Sequence, residues 1–295
     1  MEYRTSGGKW TAILGNTVKN LAPGDYEVRY TATDTDVASS IQNVTIAKGK
    51  DTGDTDNDGT GNNGNNNGNN GNNGNSDLTG SKLSLLNRKD HMGYISGRTD
   101  TQAAPNADIT RAEVATILYR LLTADAKSAY TTKINNFSDV SGSAWYNTAV
   151  STLANIGVIN GYQDGTFGPQ RSITRAELAT SLARFCDVAD SSQDYFNDIS
   201  GSWARKYINQ AAKAGLVQGY SDGTFRPNQN ITRAETIVMV NRILGRSVSG
   251  EDVVGGYKTF EDAPAGSWYY WDLVEASNTH TYNRNGSTET WTALG

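Results

Sequence analysis

Hydrophobic and polar positions follow two different periods along the chain, which predicts two kinds of structure. Residues 26–34, "YEVRYTATD", and 40–48, "SIQNVTIAK", alternate apolar and polar side chains and are rich in β-branched and aromatic types. This alternation is typical of strands with one buried face. The sequence therefore predicts a β-rich fragment of a sandwich-like domain over residues 1–48.

The next stretch has no apolar period at all. Residues 51–77 are mostly Asp, Asn and Gly, a composition that cannot bury enough apolar surface to offset the entropy lost on ordering. We predict a flexible linker over residues 49–80. The segment "DTDNDG" at 54–59 matches the first half of a calcium loop, but Asn65 stands where a bidentate glutamate is needed, which favours the linker.

Beyond the linker, the chain repeats itself with a period of roughly 60 residues. Residues 161–177, "GYQDGTFGPQRSITRAE", align without gaps with 219–235, "GYSDGTFRPNQNITRAE", and less closely with 97–113. A second element, F-x-D followed by Trp, begins at Phe137, Phe196 and Phe260. Apolar residues recur at helical spacing after both elements. Each unit is predicted to consist of a helix, a glycine-rich turn and a second helix.

The repeated "ITRAE" contains a capping box, in which Thr is the N-cap and Glu occupies the third helical position. It predicts helices that begin at Arg111, Arg175 and Arg233. A helix N-terminus carries partial positive charge and free N–H groups, so an arginine there is unfavourable by itself. Its recurrence predicts a carboxylate or phosphate nearby, which a guanidinium can bind with two hydrogen bonds.

Two alternatives stay open at this point. The acidic partner of each arginine is either external or an internal group such as Asp198 or Asp222, which would make the arginine structural. Trp145, Trp203 and Trp268 are likewise either core residues or platforms for a ligand.

The three elements at these spacings resemble the S-layer homology family, over about residues 83–295. The resemblance implies a mainly α fold, a pseudo-threefold trimer of repeats within one chain around a central helix bundle. It implies repeats at 81–130, 131–190 and 191–248, followed by a closing half-repeat and C-terminal tail at 249–295. The family binds secondary cell wall polysaccharide in grooves between repeats, through a pyruvate-ketal sugar that carries a carboxylate.

The resemblance also implies binding residues. The three arginines would contact the ketal carboxylate, the turn residues would shape the grooves, and the helix-start residues would form the facing wall. These residues are Arg111, Arg175, Arg233, Asp164, Gly165, Asp222, Gly223, Asp139, Trp145, Asp198, Trp203, Asp262 and Trp268.

The first repeat departs from the pattern in its turn. Arg98 replaces the tyrosine, Thr101 the glycine and Ala103 the phenylalanine, which predicts a weak groove. Three complete grooves require that the half-repeat from Phe260 close a ring with the first repeat. We expect Arg175→Ala and Arg233→Ala to weaken wall binding more than Arg111→Ala, with the fold intact.

The implied function is non-catalytic anchoring of a secreted Gram-positive surface protein to the cell wall or S-layer. The net charge of −5 argues against a nucleic-acid partner, and no apolar run approaches the roughly 20 residues of a membrane span. The N-terminus has no signal-peptide pattern, so an export signal would lie upstream. His91 and His280 lack metal-ligand spacing, and no catalytic motif is present, so we predict no cofactor, metal or catalytic residue.

The chain is expected to be monomeric. Two alternatives to simple anchoring remain: a module for protein interaction or S-layer self-assembly, and the anchor of an upstream glycan-degrading enzyme.

Overall fold

A computed structural model describes residues 2–5, 8–9, 11–12, 24–29, 42–46, 80, 82–191, 193–285 and 288–295. The chain divides into two units, Met1–Asn70 and Gly71–Gly295. The predicted linker at 49–80, with its calcium-loop-like segment, lies outside the described residues except for Gly80.

The first unit contains a four-stranded antiparallel sheet. Its strands are β1 (Glu2–Thr5), β2 (Thr11–Ala12), β3 (Gly24–Arg29) and β4 (Gln42–Ile46), in the spatial order β2-β1-β3-β4. Tyr26 of β3 is buried, and its ring lies 6.3 Å from that of Tyr3. The predicted β structure of this region is therefore confirmed.

The second unit is mainly α, as predicted. Its described residues contain a short 3₁₀ helix, Leu83–Leu85, and seven α-helices: α1 (Arg111–Arg120), α2 (Ala124–Tyr130), α3 (Asn147–Ile156), α4 (Arg175–Ala183), α5 (Arg205–Lys213), α6 (Arg233–Leu244) and α7 (Tyr270–Ser277). Eight of the nine residues of α4 and ten of the twelve of α6 are buried, which places these helices at the centre. None of the helices in the described ranges has the length and apolar character needed to span a bilayer.

The "ITRAE" motif starts α1, α4 and α6 as the capping box requires. At each start the threonine hydroxyl accepts a hydrogen bond from the glutamate backbone N–H, and the glutamate carboxylate accepts one from the threonine N–H. The box therefore fixes the first turn of all three helices.

Each F-x-D element packs on one glycine-rich turn. A Cβ atom on Gly219 would lie 2.5 Å from the Phe196 ring, and one on Gly97 would lie 2.7 Å from the Phe260 ring. Only glycine lets the phenylalanine ring approach the turn this closely. Packing therefore explains the glycine before each turn. The contact of Gly97 with Phe260 also joins the end of the repeat region to its beginning.

The segments before the three capped helices pair with one another in a cycle. The backbone bridges join Thr110 to Ser172, Thr174 to Asn230, and Thr232 to Asp108. Because the third bridge returns to the first segment, the three repeats form a closed ring.

The half-repeat from Phe260 packs on the first repeat. The carboxylate of Asp262 accepts hydrogen bonds from the backbone N–H groups of Ala103 and Ala104, at 2.8 and 2.7 Å. The Tyr94 and Ile95 N–H groups donate to the Ala276 carbonyl, at 2.8 and 3.0 Å. One repeat is therefore assembled from the two ends of the region.

The C-terminal tail forms an antiparallel hairpin that the sequence did not predict. Its strands are β5 (His280–Asn285) and β6 (Thr288–Leu294). Trp291 of β6 is buried and packs with Tyr270 and Val274 of α7 in a small second core. The hairpin thus belongs to the folded unit.

Candidate functional site

The capped-helix arginines are buried and bind the next repeat along the ring. Arg111 donates from Nε to the Phe167 carbonyl, from Nη1 to Glu177 Oε1 and from Nη2 to the Asn160 carbonyl, each at 2.8 Å. Its exposed fraction is 6%. The arginine therefore fastens one capped helix to the turn and the capping glutamate of the following unit.

Arg175 repeats this arrangement one unit later. It donates to the Phe225 carbonyl at 2.8 Å, to Glu235 Oε1 at 2.8 Å and to the Gln218 carbonyl at 3.0 Å. The internal acid is therefore the next capping glutamate. The suggested internal partners Asp198 and Asp222 were wrong, because their carboxylates serve other groups described below.

The expected free N–H groups at the helix starts are also occupied. The Arg175 and Ala176 N–H groups donate to the carbonyls of Gln229 and Pro227, at 2.9 and 3.0 Å. The third N–H of α4 donates to the Thr174 hydroxyl. Because neighbouring backbone and the cap satisfy these donors, this helix start has no unpaired amides among them that could attract an anion.

The aspartates of the F-x-D elements hold the turns. Asp198 accepts from the N–H groups of Phe225 and Arg226, both at 2.8 Å, and Asp139 makes the equivalent pair of bonds in the preceding unit. Arg226 has a φ of +57°, a left-handed backbone conformation that is costly for any residue other than glycine. The two hydrogen bonds from Asp198 hold the backbone at this strained point.

The turn residues stabilise their own loops. Asp222 accepts from the Thr224 hydroxyl and N–H, and these hydrogen bonds, with a third from Arg226, lower the pKa of Asp222 to about 2. Asp164 accepts equivalent bonds from Thr166. Gly165 and Gly223 follow with φ of +81° and +79°, which glycine adopts without strain. These four residues stabilise their own loops, and none of them lines the two cavities described below.

A first cavity of about 410 Å³ lies beside Arg111. Trp203, which is 63% exposed, and Tyr207 of α5 also line this cavity. A second arginine, Arg184, lines the same cavity and stacks over the Tyr207 ring at 5.1 Å. The size falls within the range of small-ligand sites. The cavity therefore combines an aromatic wall with two guanidinium groups.

A second cavity of about 370 Å³ repeats the arrangement beside Arg175. Trp268, 65% exposed, and Arg242 take the places of Trp203 and Arg184. The two cavities differ on one wall. Thr180 and Ser181 line the first, whereas Val238 and Met239 occupy the corresponding places in the second.

Each cavity has a polar triad at its base. The Tyr162 hydroxyl donates to Glu177 Oε1 at 2.9 Å, the same oxygen that Arg111 binds, and Tyr220 does the same to Glu235. Burial raises the pKa of both tyrosines, so their hydroxyls stay protonated and donate. The glutamate charge is therefore compensated inside the protein.

Among the residues that the structure describes, two cavity arginines have no ion-pair partner. Within the described ranges, neither Arg184 nor Arg242 forms an ion pair, although Asp272 interacts electrostatically with Arg242. Each cavity thus holds two arginines and one glutamate, an excess of one positive charge. This excess favours an anionic ligand, most clearly in the first cavity.

The third interface, in which Arg233 meets the degenerate turn of the first repeat, departs from this pattern. Arg233 keeps the two carbonyl contacts, to Ala103 at 2.9 Å and Ser96 at 2.9 Å, but Glu113 pairs with Arg98 instead. Burial and then the charge of Arg98 lower the pKa of Arg233. The guanidinium of Arg98 stands where the other units have a tyrosine.

The degenerate turn therefore affects a different arginine from the one expected. The loop at 97–103 lies on Arg233, whereas Arg111 faces the regular loop of the second repeat. Arg233→Ala was expected to weaken wall binding more than Arg111→Ala. Because the degenerate loop lies on Arg233, we expect the reverse order. Arg111 and Arg175 line the two cavities, and the third interface is the altered one.

The tryptophans are exposed rather than buried. Trp145, Trp203 and Trp268 have exposed fractions of 63%, 63% and 65%. An exposed tryptophan on the wall of a cavity is an uncommon use of a large apolar side chain, which favours the ligand-platform alternative for Trp203 and Trp268.

Sequence reasoning missed the outer arginines of the cavities. Arg184 and Arg242 each follow a capping glutamate by seven residues, which puts them on the same helix face two turns later. Arg120 has the same spacing from Glu113. This recurrence was visible in the sequence and would have identified them.

Comparison with known proteins gives one family. The model of the S-layer homology domain matches residues 136–179 and 195–237. A cellulosome-anchoring protein of Acetivibrio thermocellus is 36% identical over 199 residues, covering 65% of this chain and 44% of that protein. Cell surface glycoprotein 1 of the same organism is 33% identical over 205 residues, covering 65% and 9%.

A relative from another genus is similar over a shorter stretch. The S-layer protein EA1 of Bacillus anthracis is 35% identical over 131 residues, covering 43% of this chain and 15% of that protein. The chain spans less than half the length of each of these three relatives.

Proposed function

This chain carries S-layer homology domains, and we propose that it anchors a surface protein to the Gram-positive cell wall by holding an acidic wall saccharide in its two cavities. The observation that carries this proposal is the repeated pairing of an exposed tryptophan with an outer arginine, Trp203 with Arg184 and Trp268 with Arg242.

The proposed ligand chemistry follows from the cavity walls. A sugar ring presents C–H groups that stack on an indole, and its hydroxyls exchange hydrogen bonds with polar side chains. A carboxylate on the sugar, such as a pyruvate ketal, would be bound by the uncompensated guanidinium. The inner arginines Arg111 and Arg175 would contribute positive charge near the ligand but few direct hydrogen bonds, because most of their N–H donors already bind groups of the protein.

The first cavity is the better saccharide site in this proposal. The Thr180 hydroxyl is buried on its wall and has no hydrogen-bond partner among the described residues. A buried hydroxyl without a partner gains most from a ligand that supplies one. Val238 offers nothing equivalent in the second cavity.

The proposal is tested by binding of the full chain to purified wall polysaccharide. We expect Trp203→Ala and Trp268→Ala each to lower the affinity of their site roughly tenfold, because an aromatic platform contributes about 1–2 kcal/mol. Their exposure predicts unchanged thermal unfolding. Titration calorimetry measures affinity and stoichiometry together.

Trp145→Ala is the matched control, because Trp145 has the same exposure but lines neither of the two cavities. It precedes α3, which packs on α1, the helix whose Glu113 pairs with Arg98. Enzymatic or acid removal of the ketal pyruvate provides the ligand control. Equal losses in all three tryptophan variants would contradict the assignment to two cavities. Retained affinity for depyruvylated polysaccharide would show that the carboxylate is not recognised, and binding only to S-layer protein would favour self-assembly.

A second prediction concerns the difference between the cavities. Thr180→Val is expected to weaken saccharide binding at the first site about three- to tenfold, the effect of one lost hydrogen bond. The unfolding temperature should not fall, because the hydroxyl bonds to no described residue. The affinity of each site is measured in a background where the other tryptophan is replaced by alanine.

The reciprocal change, Val238→Thr, is the matched variant in the second cavity. It should leave the first site unchanged. If Thr180→Val binds as tightly as the parent, the hydroxyl does not contact the ligand.

A further inference from the structure

Both histidines of the chain, His91 and His280, meet in the interior although they stand far apart in the sequence. Their Nδ1 and Nε2 atoms lie 2.9 Å apart, and the two residues also form a backbone bridge. The carboxylate of Glu275, on α7, lies 3.0 Å from His91 Nδ1 and 3.3 Å from His280 Nε2. All three side chains are fully buried. The expectation of no metal site rested on the spacing of these histidines along the sequence, which does not show that the fold brings them together.

The tautomer of His280 is fixed by its surroundings. Its Nδ1 lies 2.9 Å from the Asn278 carbonyl, which can only accept a hydrogen bond, so Nδ1 carries the proton. In the neutral ring Nε2 then has a free lone pair directed at His91 and Glu275. A backbone carbonyl that orients the far nitrogen of an imidazole is the usual support of a metal-binding histidine.

Without a metal ion, this cluster has more hydrogen-bond acceptors than N–H donors. One His91 N–H can lie between Nε2 of His280 and the carboxylate, yet both are acceptors. Glu275 Oε1 has only His91 Nδ1 within 3.0 Å, so it competes with His280 Nε2 for that one N–H, while Oε2 accepts from Trp291 Nε1 at 3.2 Å.

We infer that His91, His280 and Glu275 form a binding site for one divalent transition metal, with Zn²⁺ the best match. Ligand atoms around tetrahedral zinc are about 3.3 Å apart, given bond lengths near 2.0–2.2 Å. The observed separations of 2.9 to 3.3 Å are close to this edge length. The set of two imidazoles and one carboxylate suits zinc better than calcium or magnesium, which prefer oxygen ligands.

Two aromatic rings pack on the histidines, and a nearby carboxylate offers a fourth ligand. His91 stacks on Tyr282 and His280 on Trp291, each with ring centroids 3.8 Å apart. Glu289 Oε2 lies 3.7 Å from His91 Nδ1, within reach of the same ion after a small movement. Glu289 also pairs with Arg284, whose side chain is 35% exposed and can be hydrated instead.

A metal ion at this site would cross-link the two ends of the repeat region. His91 precedes the first capped helix, whereas Glu275 and His280 follow the last F-x-D element. A metal would therefore join the two ends of the ring, next to the contacts that complete the split repeat. Its stabilisation would come from binding the folded state alone.

The full chain without a polyhistidine tag is the material for the test. The protein is unfolded, stripped with chelator, and refolded with equimolar Zn²⁺ or with Mg²⁺. We expect about one zinc per chain by mass spectrometry and an unfolding temperature higher by about 5–10 °C with Zn²⁺ only. Refolding with Co²⁺ should give the visible absorption of a tetrahedral cobalt site.

The chain offers little other chemistry for such an ion. It has no further histidine, and burial raises the pKa of its one cysteine, Cys186, to about 11, so that thiol stays protonated. His280→Ala and Glu275→Gln should abolish the zinc-dependent shift, while the exposed Glu261→Gln keeps it. A parent protein that refolds with less than about 0.1 zinc per chain and no zinc-dependent shift overturns the inference without reference to any variant.

Discussion

Arg175→Ala should lower the unfolding temperature of the second unit, Gly71–Gly295, by about 6–12 °C, which corresponds to a loss of about 3 kcal/mol in its free energy of unfolding. The substitution removes the donor to two carbonyls and to Glu235, whose side chain is only 15% exposed. Buried acceptors left without partners lose their hydration without compensation. Arg111→Ala should behave similarly, because its three contacts are equivalent.

This expectation replaces the earlier one that these variants keep an intact fold. Differential scanning calorimetry measures the change, and Arg226→Ala provides the control. Arg226 also pairs with an acid, Asp222, but at an exposed position, where an ion pair contributes little. If Arg175→Ala melts with the parent yet fails to bind wall polysaccharide, its guanidinium acts on the ligand and the structural account is wrong.

Asp262→Asn should open the ring where the two ends of the repeat region meet. Its carboxylate oxygens accept from the backbone N–H groups of Ala103 and Ala104. An asparagine would direct an NH₂ group at one of these donors. We expect a loss of about 2 kcal/mol and an unfolding temperature lower by about 4–8 °C.

The location of the damage distinguishes this variant from general destabilisation. Hydrogen exchange should accelerate at residues 94–104 and 260–277 more than in α4. Asp100→Asn, an exposed change in the same turn, is the control and should leave exchange unchanged. If Asp262→Asn accelerates exchange equally throughout the unit, the ring has no separate closing step.

The two kinds of arginine have consequences for how the proposed site would be altered. The inner arginines Arg111 and Arg175 are nearly inaccessible and fasten neighbouring repeats, so their loss affects fold and site together. The outer arginines Arg184 and Arg242 have no ion-pair partner among the described residues and line the cavities. Changes at the outer positions are therefore expected to affect ligand binding with less effect on stability.

Local sequence determined much of this protein. The capping box set the starts of α1, α4 and α6, because its hydrogen bonds lie within four consecutive residues. Period-two alternation located β3 and β4 for the same reason. Recurrence of the motifs established the number of repeats and showed which turn was degenerate.

Only the tertiary structure decided which repeat each residue serves. Arg111 binds the acid of the following unit, the degenerate loop covers Arg233, and His91 meets His280 across the closed ring. Such pairings depend on how helices pack around the centre, and sequence spacing carries no information about that packing. The same limit applies to the tryptophans, since one helical pattern fits a core residue and a cavity wall equally well until the neighbouring elements are in place.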